Sequence, residues 1–215
     1  MVEPEAPMAV IAVAQQKGGA GKTMLAAQLA VAFGATRRVA LLDIDPQGSL
    51  SAWARLRAGN SKAGAALTIE TVSGWRLAAA LERLRGGHDI VLIDTPPVLD
   101  SDARRAIRGA DLVLVPLNPA PPDLWAAEGT LKLAAEERRQ VALVFNRAAA
   151  GSKLRRRLEA EIAARGLVLL DEVLGNRAAY ANAFADGLGV VETAPGSLAG
   201  VEMAALAARV LVMIG

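Results

Sequence analysis

The run Lys17-Gly18-Gly19-Ala20-Gly21-Lys22-Thr23 sets two lysines and a hydroxyl among three glycines. Glycines let a backbone curl until several N–H groups converge on one point, and an oxyanion is the group such a nest accepts. A helix starting directly behind the loop adds its unpaired N–H groups and the positive end of its dipole, which suits a polyphosphate. Lys22 is then placed to neutralise the phosphates and Thr23 to offer its hydroxyl to Mg²⁺, with Met24 continuing the contact. The general phosphate-loop pattern has a glycine where this chain has Gln16, and a second lysine, Lys17, follows it.

The elements that must carry this loop are legible as short apolar runs alternating with segments of helical period, the pattern of repeated βα units and a mostly parallel sheet. The expected strands are Ala9 to Ala14, Val39 to Asp43, Leu67 to Thr71, Ile90 to Asp94, Leu112 to Pro116, Val141 to Asn146 and Leu167 to Leu170. This makes a twisted sheet of about seven strands with helices on both faces. The helix opening at Lys22 or Thr23 aligns Leu25, Leu29 and Phe33 on one face and stops near Gly34. Further helices are expected over Leu50 to Arg57, Trp75 to Arg85, Asp102 to Arg108, Leu124 to Arg138, Lys153 to Arg165, Ala178 to Ala185 and Leu198 to Met213. Pro116 to Pro122 reads as an ordered loop at the ligand-binding edge of the sheet, the alternative being a plain surface loop capped by Asp123.

Composition agrees with one α/β domain over residues 1–215. Hydrophobic residues make up 53% and aromatic ones only 3%, so the core is built from Ala, Val, Leu and Ile. The absence of Cys excludes disulfides and thiolate-bound metals, and one His leaves no scope for a His-rich centre. Met1 to Pro7 lacks the basic start and apolar run of a secretory leader, which points to the cytoplasm. The net charge of +2 decides nothing about partners.

With Lys17 in place of the usual spacing, the loop resembles the deviant Walker A box of the ParA and MinD superfamily. Asp43-Ile44-Asp45-Pro46-Gln47 resembles that family's first switch, and Ile90 to Pro97 its Walker B strand and second switch. Asn146-Arg147 resembles its adenine-contacting pair. The resemblance implies a P-loop ATPase in which Lys17 reaches across a homodimer to the partner's nucleotide. It further implies that Asp45 positions the attacking water near the metal, and that Asp94 holds Mg²⁺ through a water. Asp43 reads equally well as a turn or capping residue. A guanine reader needs a carboxylate two residues beyond Arg147, where this chain has Ala149; ATP is the expected nucleotide.

Within the superfamily, members that need cysteines or a C-terminal tyrosine cluster are excluded, since the chain has no Cys and one tyrosine, Tyr180. Val201 to Gly215 carries only Glu202 and Arg209 as charges, so it is expected to pack on the domain rather than dock on a membrane. What remains is the small ParA type without an N-terminal DNA-binding module. That resemblance implies nonspecific DNA binding by the ATP dimer, nucleoid association, and release by a ParB-like or cargo-adaptor activating protein. Lys153, Arg155, Arg156, Arg157 and Arg165, with Arg177, are the candidate phosphate contacts. The alternatives are a metabolic ATP-dependent synthetase of the same lineage and a nucleotide-binding switch that does not touch DNA.

Overall fold

Strands covered by helices on both faces are apolar at every position, because successive side chains enter opposite cores. In the computed structural model, which describes residues 8–215, six runs meet this condition in whole or in part. They are β1 (Ala9–Val13), β2 (Val39–Asp43), β3 (Leu67–Thr71), β4 (Ile90–Asp94), β5 (Leu112–Leu117) and β6 (Gln140–Phe145). All their pairings are parallel, in the order β3-β2-β4-β1-β5-β6. The reading of Met1 to Pro7 lies outside the described residues.

The expected seventh strand does not form. Leu167 to Leu170 makes a single bridge, Leu143 to Leu169, and the next bridge on that edge, Ala148 to Gly175, follows a lone bond from Leu174 N–H to Phe145 O at 2.9 Å. The second bridge is out of register with the first, since Leu143 to Ala148 spans one residue fewer than Leu169 to Gly175, so a continuous ladder is lost.

Between the strands run α1 (Lys22–Gly34), α2 (Ser49–Ala58), α3 (Leu77–Leu84), α4 (Ser101–Gly109), α5 (Pro121–Glu136), α6 (Lys153–Ala164), α7 (Ala178–Ala185), α8 (Val190–Thr193) and α9 (Leu198–Ile214). A 3₁₀ turn, Gly74–Arg76, precedes α3, so the helix expected from Trp75 starts two residues later. The Pro-rich stretch is also shorter as a loop than expected. Pro116 and Leu117 close β5, while Pro121 and Pro122 open α5, where a missing N–H costs nothing.

One core packs α3 to α6 on one face of the sheet; the other packs α1, α2 and α7 to α9 on the opposite face. Helix α1 is buried nearly all round, not along the single stripe of Leu25, Leu29 and Phe33. Its Gln28 is fully buried and stitched to the late chain, donating to Leu188 O at 3.2 Å and accepting from Val190 N at 2.6 Å. Helix α9 covers α1 with Ala199, Met203, Leu206 and Val210, as expected of a packed tail. No described helix is long and apolar enough to cross a membrane.

Helix α2 is pinned by Arg57, whose guanidinium pairs with Glu192 at 2.8 Å and lies 5.4 Å from the Trp53 ring centre. Burial alone would raise the Glu192 pKa. Instead Arg57 and the N–H groups of Gly189, Ala65 and Gly64 hold it down to about 2.

Candidate nucleotide site

The sheet brings the chemistry to its carboxyl edge. Thr71, Asp43 and Asp94 are successive register partners across β3, β2 and β4, and Val13 of β1 partners Asp94. The phosphate loop leaves β1 beside them. Its last glycine, Gly21, sits at φ 89°, a left-handed conformation, and a Cβ there would stand 2.3 Å from Asn146 Nδ2. Only glycine satisfies both demands. The first helical bond of α1 runs from Leu25 N–H to Gly21 O at 2.9 Å, so the preceding N–H groups form the open amino end of the helix.

That end borders a cavity of about 770 Å³. Of the expected site residues, Gly18, Gly19, Gly21, Lys22, Thr23, Met24, Asp45, Asn146, Arg147 and Arg177 line it. Its far wall is α7, through Ala178, Tyr180, Ala181 and Phe184, which sequence reading did not assign to the site. Apolar residues at the end of a helix carry no signal of a ligand by themselves.

Lys22 is buried to 7% exposure, and this burial lowers its pKa, opposed by the negative charges of Asp94 and Asp45. Asp94 is fully buried, and neither carboxylate oxygen has a hydrogen-bond partner among the described residues. Burial pushes its pKa up to about 7, with Thr23 and Lys22 pulling down and Asp43 and Asp45 pushing up. A buried, unpaired carboxylate is costly unless something else completes it. Together with the Thr23 hydroxyl it forms a hard oxygen set, which fits a divalent cation such as Mg²⁺ directly or through water.

Asn146 and Arg147 are brought to the loop, but their visible contacts are with its backbone. Asn146 Nδ2 donates to Ala20 O at 2.9 Å, and Arg147 Nη1 donates to Gly19 O at 2.9 Å. They tie down two carbonyls of the loop, those of Ala20 and Gly19. Ala20 itself is fully buried.

Lys17 lies apart from the cavity lining. Its ammonium is 2.5 Å from Asp123 Oδ2, and Asp123 is 1% exposed on the first turn of α5. Asp123 also accepts from Asn118 Nδ2 at 2.9 Å, and its carbonyl accepts from Gln15 Nε2 at 3.2 Å. The expectation of a surface cap at Asp123 is therefore corrected to a buried counter-ion of the loop. Gln16, where the general pattern has glycine, lays its amide over Gly129 of α5, where a Cβ would approach it to 2.5 Å.

The candidate DNA contacts divide. Lys153, Arg156 and Arg157 are exposed on α6 and carry no ion pair among the described residues. Arg155 pairs with Glu159 at 3.0 Å, Arg165 with Glu128 and Glu161, and Arg177 with Glu202 at 2.5 Å.

With this geometry in view, residues 11–190 match the CobQ/CobB/MinD/ParA nucleotide binding domain. The chain belongs to that family. It is 31% identical over 188 residues to the maintenance of carboxysome distribution protein A of Halothiobacillus neapolitanus, covering 85% of this chain and 86% of that one. Among solved structures, the cell division ATPase MinD of Pyrococcus furiosus superposes with a TM-score of 0.81 at 22% identity, over 95% of this chain and 99% of that one. The ATP complex of Cyanothece McdA gives 0.77 at 18%, over 95% and 96%. The family's fold is thus a single α/β domain here too, with an all-parallel sheet of six strands.

Proposed function

We propose that this chain is a ParA-type positioning ATPase. It binds ATP with Mg²⁺, closes into an ATP-sandwich homodimer, binds DNA without sequence preference as the dimer, and is released when an activating partner stimulates hydrolysis. The observation that carries this reading is the split between the two loop lysines. Lys22 borders the cavity, whereas Lys17 is turned to Asp123 outside it. A single chain thus presents one lysine ammonium to the cavity, and in this reading Lys17 of a facing copy leaves its Asp123 to bring a second one to the phosphates. A relative matched over most of both chains, the carboxysome distribution protein, supports positioning over metabolic synthesis.

In the proposed reaction the open amino end of α1 and Lys22 hold the phosphates. Thr23 and Asp94 would hold Mg²⁺, which when bound neutralises charge on the transferring phosphoryl group. Asp45 orients the attacking water in line, and Lys17 of the partner copy neutralises the same phosphates. Asn146 and Arg147 shape the loop and border the base. Lys153, Arg156 and Arg157 supply DNA phosphate contacts; Arg155 and Arg177 would first have to leave their carboxylates. The cargo is DNA or a protein assembly, the activator is ParB-like or a cargo adaptor, and the setting is the cytoplasm and nucleoid.

The test combines ATP turnover, light scattering and salt-dependent retention on nonspecific duplex. Wild type with Mg²⁺–ATP is expected to dimerise and hold DNA at low salt, whereas Lys17→Ala keeps ATP binding and loses the dimer. A wild-type protein that stays monomeric with Mg²⁺–ATP and never holds DNA overturns the reading.

A further inference from the structure

Asp43 is fully buried, yet unlike Asp94 it has its hydrogen bonds closed. One carboxylate oxygen accepts from Asp45 N at 3.1 Å; the other accepts from Ser51 N at 2.9 Å and Ser51 Oγ at 2.6 Å. Ser51 stands at the third position of α2, whose capping residue Gly48 has no side chain to offer. Asp43 therefore caps α2 from the end of β2, across the turn that carries Asp45. The turn is further tied inside itself, with Gln47 N donating to Asp45 Oδ1 at 3.0 Å and Gly48 N to Asp45 O at 2.9 Å. This engages one Asp45 carboxylate oxygen with the backbone and leaves the other without a partner among the described residues.

A carboxylate only accepts, so the Ser51 hydroxyl must spend its proton on Asp43. The Ser51 oxygen, 2.7 Å from Thr71 Oγ1, then accepts from the Thr71 hydroxyl. The order is fixed: Thr71 donates to Ser51, Ser51 donates to Asp43, and Asp43 receives the Asp45 backbone. We propose that Ser51 and Thr71 are positioning residues for Asp45, holding the Asp43 carboxylate in the orientation that fixes the turn. The proposal rests on the reading that Asp45 orients the attacking water.

The experiment is single-turnover hydrolysis of Mg²⁺–ATP, with ATP affinity measured separately, in full-length Ser51→Ala, Thr71→Val, Thr71→Ser and Asp45→Ala. Ser51→Ala is expected to slow hydrolysis about tenfold and Thr71→Val about threefold, with affinity within about twofold of wild type. Thr71→Ser, which keeps the donor, is expected to hydrolyse at the wild-type rate. In Ser51→Ala the Asp45 amide should exchange with solvent faster while those of β4 do not. Wild-type rates in Ser51→Ala and Thr71→Val beside an inactive Asp45→Ala overturn this proposal alone. Asp45→Ala hydrolysing normally overturns the reading beneath it as well. If Ser51→Ala does not fold, the Thr71 pair decides, because its hydroxyl is exposed and valine keeps its shape; equal rates in valine and serine then overturn the proposal.

Discussion

Asp43 and Asp94 are register partners on neighbouring strands, equally buried and with side chains on the same face of the sheet, yet they are treated in opposite ways. Asp43 receives three hydrogen bonds from Asp45 and Ser51. Asp94 receives none among the described residues, and its pKa rises to about 7 through burial. Folding alone explains the first residue, because a capped helix and a closed turn repay the buried charge. It does not explain the second, which lowers stability until a cation or its water completes it. Two identical side chains a strand apart thus separate what the fold uses from what it keeps open.

The largest expected effect breaks the pair on the open side. Asp94→Asn should slow Mg²⁺–ATP hydrolysis by about 10³-fold. At the same time melting of the ligand-free protein should stay level or rise by about 2 °C, since a buried carboxylate without a hydrogen bond is gone. A cooperative loss of stability in that variant would make Asp94 structural.

The opposite side should fail differently. Asp43→Ala strands the Asp45 and Ser51 donors, at a cost of about 3 kcal/mol, seen as a fall in melting temperature of about 6–12 °C. If ligand-free stability is unchanged, the cap on α2 contributes nothing.

Glu192 sharpens the contrast as a third carboxylate, closed by Arg57 and three backbone N–H groups. Its folded pKa of about 2 lies below the ordinary 4.5. Its contribution is therefore complete above the unfolded value and drains away as pH falls from about 4.5 towards 2. Glu192→Gln should remove about 2 kcal/mol at pH 7 and flatten the acid limb of a stability–pH curve measured in urea.

Much of this site was legible in the sequence because its signals are local. Glycine spacing, a lysine pair, and aspartates closing apolar runs are readable within a few residues, and Lys22, Thr23, Asp45 and Asn146 did come to one cavity. What stayed hidden depends on pairings across long stretches. The Lys17 to Asp123 contact joins residues 106 apart, and nothing about Asp123 in its own turn distinguishes a counter-ion from a cap. The all-round burial of α1 was hidden for the same reason, since alanines on its outer face look indifferent until α8 and α9 cover them. Leu167 to Leu170 shows the converse: β-forming residues do not make a strand when the register on the neighbouring edge is interrupted.

The stitching of Gln28 to Leu188 and Val190 also carries a consequence for synthesis. The partners are 160 and 162 residues apart, so at about 5–20 residues per second the ribosome takes about 8–30 s to make the second after the first. Throughout that interval helix α1 lacks the apolar cover that α8 and α9 give it. A nascent chain halted before residue 186 should accordingly aggregate or recruit chaperones, and acquire nucleotide affinity only once the covering helices emerge.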